Sequence, residues 1–238
     1  MMTTEQQQKI INYLMDKSLP VDLTLEVKDH ISHQIEDLMI EKEILFEEAF
    51  EQAKESWSDE LKLIWNIPSF TFKKITKLHK RVINKVYNEL LLKSLKIFAP
   101  FFAINLLLTF YLPAISQIVL FLVYAIILIS TIFLSFKNYN LIKSSTNYDK
   151  RKVSIYQRGS VLLIVSTLYI LSGILQFEER FEKQLNALLQ IISEFNFSNI
   201  GSIITIYIYV WGWVFGFLYF RKYKHTLQQI QQQIQFNL

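Results

Sequence analysis

A run of forty residues without a charged side chain, from Ile97 to Phe136, constrains the fold of this chain more than any other feature. A helix of about twenty apolar residues crosses the core of a bilayer. Forty residues therefore suit two spans joined by a tight turn. Proline breaks the hydrogen-bond ladder of a helix, which places this turn at Leu112, Pro113 and Ala114. The pattern predicts spans over about 97–112 and 117–136.

Two further apolar stretches, about 159–177 and 202–220, predict a third and a fourth span. Between them, residues 178–198 have apolar side chains at spacings of three and four, which is typical of an amphipathic helix. A glutamine-rich tail, 221–238, follows the last span. The chain as a whole is 51% hydrophobic, which is high for a soluble domain. The predicted fold class is all-α: a small cytoplasmic helical domain followed by a four-helix transmembrane bundle.

The small helical domain is predicted over residues 1–68 from three amphipathic helices. The first ends before Leu19 and Pro20, the second begins with Asp22 or Thr24 as its N-cap, and the third runs from Phe46 to Trp65 and stops before Pro68. Residues 1–70 contain six lysines and fifteen acidic residues, a net charge of −9, whereas the whole chain is at +4. An acidic segment joined to a basic, apolar one indicates two domains with a boundary near Pro68.

Residues 69–96 predict a basic amphipathic helix. Its apolar stripe can lie among lipid headgroups, and basic residues near an anionic leaflet each contribute about 1 kcal/mol. The alternative is a basic stem that packs on the helical domain. Nucleic acid is not expected as a partner, because no recognised nucleic-acid fold accompanies the charge. The residues assigned to the membrane surface are Lys73, Lys74, Lys77, Lys80, Arg81 and Lys85.

Positive charge predicts the orientation of the spans, since loops rich in Lys and Arg stay in the cytoplasm. Basic residues crowd the segment before span one, the loop between spans two and three, and the segment after span four. Both termini are therefore expected in the cytoplasm, with helix 178–198 outside. Residues 1–20 lack an apolar run with a cleavage site, so no signal peptide is expected. A composition rich in Lys, Ile, Asn and Phe suggests an AT-rich bacterial genome, and the expected location is the bacterial inner (cytoplasmic) membrane.

One constellation in the helical domain has the spacing of helix-borne metal ligands. Glu26, His30, His33 and Asp37 recur at i, i+4, i+7 and i+11. A single helix seldom completes a metal site, however, and no second cluster accompanies this one. We therefore expect no metal and no cofactor, and we expect His30 to pack near the domain's own interface. The chain has no cysteine, and no predicted span contains Asp, Glu, Lys, Arg or His. An enzyme is not expected.

The fourth span contains a small-residue pair, Gly212 and Gly216, at the spacing that lets another helix approach closely. Trp211 and Trp213 lie near the middle of the same span, where tryptophans pack against a neighbouring helix. That helix is either another span of this chain or a second copy, which leaves a homo-oligomer through the fourth span open.

The helical domain resembles a known bacterial module over residues 5–65. The matching residues are Tyr13-Leu14, Leu25-Glu26, Asp29-His30-Ile31, Ile35-Glu36 and Phe46-Glu47-Glu48-Ala49-Phe50. Together these are similar to the HAAS-type (helix-turn-helix-associated alpha-helical signalling) domain, also met as a permease prefix domain. The resemblance implies a cytoplasmic signalling or coupling module ahead of transmembrane helices.

Two functions are compatible with this sequence. The first is a non-enzymatic signalling or regulatory membrane protein whose cytoplasmic helical domain binds a protein partner. The alternative is an accessory subunit of a transporter or permease, with the same domain as its coupling surface. A membrane-bound enzyme would need a nucleophile, a metal set or a phosphate loop, and the sequence offers none of these.

Overall fold

The structure, a computed structural model, describes residues 2–17, 19–65, 74–146, 154–157 and 159–236. Helices dominate these residues, as predicted. In chain order the elements are α1 (Thr4–Met15), α2 (Val21–Glu41), α3 (Phe46–Ser56), β1 (Leu63–Trp65), β2 (Lys74–Thr76), α4 (Lys77–Tyr111), α5 (Pro113–Lys137), α6 (Tyr139–Thr146), α7 (Gly159–Leu175), α8 (Phe177–Glu194) and α9 (Ile200–Phe236).

The chain divides into two compact units. Unit 1 comprises Met1–Tyr87, Tyr148–Ile155 and His225–Leu238, and unit 2 comprises Asn88–Asn147 and Tyr156–Lys224. The division lies between Tyr87 and Asn88, later than the boundary predicted near Pro68, which is outside the described residues. Two helices, α4 and α9, contribute residues to both units without a break.

The core of unit 1 is formed by the apolar faces of α1, α2 and α3. Helix α1 begins with a capping box, in which Thr3 and Gln6 each accept a hydrogen bond from the other's backbone N–H. Helix α2 begins at Val21 with Pro20 as its N-cap, so the two predicted caps, Asp22 and Thr24, lie inside the helix instead. The buried core residues are Ile10, Leu14, Leu19, Leu23, Val27, Ile31, Ile35, Phe46, Ala49, Phe50, Ala53, Leu61 and Leu78.

A β-hairpin replaces the end of the third predicted helix. Helix α3 ends at Ser56, not at Trp65, and β1 pairs antiparallel with β2 in the register Leu63 with Thr76 and Trp65 with Lys74. Leu61 still reaches the core. Ile64 and Trp65 belong to the third helix in the prediction, but in β1 they point to opposite faces of a strand. The N-terminal unit is therefore not purely helical.

The basic helix predicted over 69–96 also differs from the structure. Lys74 lies in β2, and α4 begins only at Lys77 and then continues to Tyr111 as one helix of 35 residues. Its first turns belong to unit 1, because Leu78 is buried in that core and Val82 packs against it. Pro100 lies inside α4, where its missing N–H removes one hydrogen bond of the ladder.

Helices α4, α5 and α9 are long and apolar enough to cross a membrane, among the described residues. The pair α7 and α8 passes the same test only together, bent by 90° at Gln176, so the structure offers three candidate spans, or four if this pair supplies one. A turn between α4 and α5 is found at Leu112, as predicted, and Pro113 occupies the first position of α5. The segment predicted as a loop after span two contains the short helix α6.

Candidate functional site

A buried polar network is the most distinctive feature of unit 2. Asn105 and Thr109 on α4, Ser116 on α5, Gln184 on α8 and Tyr207 on α9 are all at most 2% exposed. The Tyr207 hydroxyl donates to Asn105 Oδ1 at 2.6 Å and accepts from Gln184 Nε2 at 2.8 Å. The Thr109 and Ser116 hydroxyls lie 2.6 Å apart. These contacts tie four helices together through neutral groups.

The network is nearly closed on itself. Thr109 donates to the Asn105 carbonyl at 2.8 Å, one turn back in the same helix. In contrast, Gln184 Oε1 is buried without a hydrogen-bond partner in the described structure. Interhelical hydrogen bonds in membranes average about 0.6 kcal/mol, so the network's main effect is to fix which helix faces meet. All five members have side chains that are neutral at neutral pH, so the network joins the helices through hydrogen bonds without an ion pair.

A second polar cluster lies between α5, α7 and α9. The Thr131 and Thr167 hydroxyls are 3.0 Å apart, and the Trp213 indole N–H donates to Thr131 Oγ1 at 2.8 Å. Trp211 donates to Ser94 Oγ on α4 at 3.0 Å. Both tryptophans of the fourth predicted span therefore have hydrogen-bond partners on other helices of this chain.

The glycine pair of α9 faces α7. A Cβ added at Gly216 would lie 2.7 Å from the Leu163 backbone nitrogen, and one added at Gly212 would lie 3.0 Å from Ser166 Oγ. Only glycine allows such a close approach of two backbones. This face of α9 is therefore occupied by a helix of the same chain.

A basic side chain, Arg180, lies just after the bend between α7 and α8. Its guanidinium donates to Ser172 Oγ at 3.1 Å and to Gln176 Oε1 at 3.1 and 3.3 Å, and it lies 4.8 Å from the centre of the Tyr169 ring. All three partners are neutral. One turn further along α8, Lys183 pairs with Glu179 at 2.5 Å, and this ammonium lowers the pKa of the Glu179 carboxyl.

The predicted metal ligands in unit 1 lie on the exposed face of α2. Glu26, His30, His33 and Asp37 all point away from the core. The His30 ring stacks on Trp57, with 6.5 Å between ring centroids. In the described parts of the chain, no three His, Asp or Glu side chains come together as a metal site would require.

The basic residues predicted at the membrane surface have several different environments. Lys73 lies outside the described residues, and Lys74 lies 5.2 Å from the centre of the Trp65 ring. Lys80 is half-buried and Lys85 is exposed.

The other two basic residues form ion pairs within unit 1. Lys77 pairs with Asp59 at 2.6 Å, and Arg81 pairs with Glu60 at 2.7 Å. The Lys77 ammonium holds the pKa of the Asp59 carboxyl below its usual value. Contact with lipid headgroups stays a prediction.

A hydrogen-bonded tether connects two distant segments of unit 1. Asp22 Oδ2, in the first turn of α2, accepts from the Ser154 hydroxyl at 2.7 Å and from the Ile155 N–H at 3.0 Å. Burial raises the pKa of Asp22, although these hydrogen bonds favour its charged form. The segment before α7 is thus attached to the start of α2.

No protein family, curated protein or solved structure matches this chain. The similarity of residues 5–65 to the HAAS-type domain stays a prediction carried by its motif residues. The contacts of the chain's own side chains are therefore what bears on its function.

Several of these residues were not predicted from sequence. Asn105, Thr131 and Thr167 lie within the predicted spans, where polar groups typically form interhelical hydrogen bonds, whereas Ser116 and Gln184 lie outside the predicted spans. Gln184 carries one usable signal, because it lies among Phe181 and Leu188 on the apolar face of its amphipathic helix. A polar residue on an apolar face has to find a buried partner.

Proposed function

We propose that this chain is a non-enzymatic regulatory protein of the bacterial inner (cytoplasmic) membrane. In this proposal the membrane helices of unit 2 pass a change of arrangement to unit 1, which binds a protein partner in the cytoplasm. The observation that carries the proposal is that three separate segments of the chain make up unit 1. It joins the N-terminal residues with Tyr148–Ile155, before α7, and His225–Leu238, at the end of α9.

This composition supports a topology with four spans and both termini in the cytoplasm. Three segments of one compact unit have to lie on the same side of a membrane. An even number of crossings must then separate each segment from the next. Two crossings by α4 and α5, followed by two by α7 and α9, meet this condition. If α7 and α8 only dipped into the membrane and returned, α9 alone would put the last segment on the opposite side.

The charges of α8 support the same topology. Within its first two turns, α8 carries Glu178, Glu179, Arg180, Glu182 and Lys183. Charged side chains are strongly disfavoured at the centre of a bilayer. Helix α8 then lies at the membrane surface, and α7, whose 17 residues include no charged side chain, is the crossing segment.

The same composition supports a relay. A displacement of α4 or α9 in the membrane is passed on covalently, because each helix continues unbroken into unit 1. A displacement of α7 reaches unit 1 through the segment that Asp22 holds at Ser154 and Ile155. Three membrane helices are thus connected to unit 1. This arrangement is expected for a protein in which a movement of the membrane helices changes the conformation of unit 1.

Topology is tested by reporter fusions. Fusions after Leu112 and near Ser193 are expected to behave as extracytoplasmic, and fusions after Tyr148 and Leu238 as cytoplasmic. A cytoplasmic signal near Ser193 would rule out the four-span arrangement. This test is independent of what the protein binds.

The relay is tested by locking α7 to α9. A Cβ at Gly212 lies 4.0 Å from the Ser166 Cβ, within the range that a disulfide requires. Because the chain has no cysteine, the double variant Ser166→Cys with Gly212→Cys contains one thiol pair. We expect oxidation to change the hydrogen exchange of the α1, α2 and α3 amides of the full chain in nanodiscs.

The two single-cysteine variants are the matched controls, since neither can form the intramolecular bond. Unit 1 exchange that is identical in oxidised and reduced double variant would refute the relay. Co-purification from native membranes then identifies the partner. A transcriptional regulator would support signalling, whereas an ATPase or permease subunit would favour the transporter-accessory alternative.

A further inference from the structure

A cleft of about 340 Å³ lies where α7, α8 and the start of α9 meet in unit 2. Its lining is polar on one side, with Ser198, Ser202 and Thr205 from the start of α9 and the segment before it. On the other side it is basic and aromatic, with Arg180, Lys183 and Tyr169. The combination of two cations, hydroxyl groups and a helix start is suited to an oxyanion.

Arg180 contributes to this cleft a positive charge that forms no ion pair among the described residues, although, beside Lys183, it is close enough to Glu179 to help lower the pKa of that carboxyl. Its hydrogen-bond partners, Ser172 and Gln176, are neutral, and no carboxylate among the described residues lies within ion-pair distance of it. These contacts and the Tyr169 ring hold the guanidinium in one orientation. An arginine fixed in this way can bind two oxygens of a phosphate without first being ordered.

The depth of the cleft corresponds to the boundary between lipid headgroups and acyl chains. Helix α7 is about 25 Å long at about 1.5 Å per residue, close to the thickness of a bilayer core. The charges at the start of α8, where the chain turns by 90°, mark the headgroup level. Toward the membrane interior, α9 presents the exposed apolar side chains Ile204 and Ile208, and α7 presents Leu168 and Leu171.

We propose that this cleft binds the phosphate of an anionic phospholipid, with Arg180 and Lys183 on the phosphate and the acyl chains along the exposed rows of α7 and α9. The apolar rows favour a lipid over a free phosphate ion, because an ion would use only the polar part of this surface. The bound lipid would hold α7, α8 and α9 together at their shared end. This proposal concerns unit 2 alone and does not depend on a partner of unit 1.

The test uses the full chain, purified in a neutral detergent and titrated with three probes. These are phosphatidylglycerol, phosphatidylcholine and inorganic phosphate, and bound lipid is counted by native mass spectrometry. We expect phosphatidylglycerol to bind at least about tenfold more tightly than phosphatidylcholine. Inorganic phosphate is expected to compete only weakly. Arg180→Gln should weaken the binding of phosphatidylglycerol about tenfold, the loss of one charge-assisted contact, while Arg180→Lys should retain part of it.

Arg221→Gln is the matched control. Arg221 is an exposed arginine of α9, about twenty residues beyond the start of that helix, which lines the cleft. This substitution should leave the binding of phosphatidylglycerol unchanged. Arg180 also bonds to residues on the other side of the bend, so its replacement could disturb the fold as well as lipid binding. Lys183→Gln is therefore a second variant, because Lys183 is exposed and its ion pair is with Glu179 on the same helix. It should weaken binding without changing the thermal unfolding of the lipid-free protein.

Equal binding of phosphatidylglycerol and phosphatidylcholine would overturn the proposal. Equal losses in Arg180→Gln and Arg221→Gln would also overturn it, because they would show non-specific attraction between charges. Binding of inorganic phosphate as tight as that of the lipid would assign the cleft to a free anion instead.

Discussion

Replacing Gly216 by alanine should force α9 away from α7. The added Cβ would lie 2.7 Å from the Leu163 nitrogen, 3.0 Å from its Cα and 3.2 Å from the Leu162 carbonyl carbon. These are backbone atoms, so no side-chain rotation relieves the contact. Ordinary van der Waals separations begin at 3.4 Å, and the two backbones must therefore separate by about 0.7 Å.

The magnitude follows from two opposing terms. Overpacking of a close contact costs about 1–3 kcal/mol. Alanine also has a higher helix propensity than glycine, by about 0.8–1.0 kcal/mol, which offsets part of the loss. We expect Gly216→Ala to reduce the free energy of unfolding by up to about 2 kcal/mol. Reversible unfolding of the full chain in mixed micelles, followed by tryptophan fluorescence, measures this difference.

Two other glycines of the same helix give a graded control. A Cβ at Gly212 meets only the Ser166 hydroxyl, at 3.0 Å, which can rotate away, so Gly212→Ala should be within about 0.5 kcal/mol of neutral. Nothing lies within 4 Å of a Cβ at Gly201, so Gly201→Ala should be neutral or stabilising. Equal effects at Gly216 and Gly201 would contradict the reasoning. So would full rescue of Gly216→Ala by Leu163→Ala, because that change leaves the contacting backbone atoms in place.

Three further perturbations test the other contacts. Tyr207→Phe leaves the buried Asn105 and Gln184 side chains without a shared partner and should reduce the free energy of unfolding by about 1 kcal/mol, the sum of two interhelical hydrogen bonds, whereas Tyr209→Phe, which removes no such bond, should have little effect. Burial raises the pKa of Asp22 in the folded chain, so the folded state binds this proton more readily than the unfolded one. The wild type should therefore gain stability relative to Asp22→Asn as the pH falls through that raised value toward 3.8, and a pH-independent difference would argue against it. Glu43 has a φ of 55° just after the end of α2. Glu43→Gly should slow amide exchange at the end of that helix, whereas Glu43→Ala, which keeps the Cβ, should not.

The helices of unit 2 could be predicted from sequence because their signals are local. An apolar run, a proline at position 113 and the change from apolar to charged residues after Leu175 each determine a helix end from neighbouring residues. The α7–α9 contact was only partly predictable. Glycine spacing shows that a helix approaches α9 at Gly212 and Gly216, but not which helix.

The hairpin and the polar network could not be predicted in this way because they depend on distant pairing. Strands β1 and β2 have three residues each, too few for a periodic pattern to distinguish them from a helix end. Tyr207 bonds to Asn105 across 102 residues of sequence, and nothing near either residue indicates the other. The burial of Leu78, at the start of α4, likewise depends on core residues of unit 1 that are distant in sequence.

The polar network also bears on the order in which the helices can enter the membrane. Thr109 and Ser116 face each other across the tight turn at Leu112, so the α4–α5 hairpin can satisfy these hydroxyls by itself and insert as a unit. The Asn105 side chain oxygen, in contrast, receives its hydrogen from Tyr207, which is synthesised much later. Until α9 arrives, this amide is left in lipid with an unsatisfied acceptor. Helix α9 therefore supplies the hydrogen bond that α4 lacks. In a nascent chain truncated before Tyr207, the α4–α5 hairpin would keep this acceptor unsatisfied.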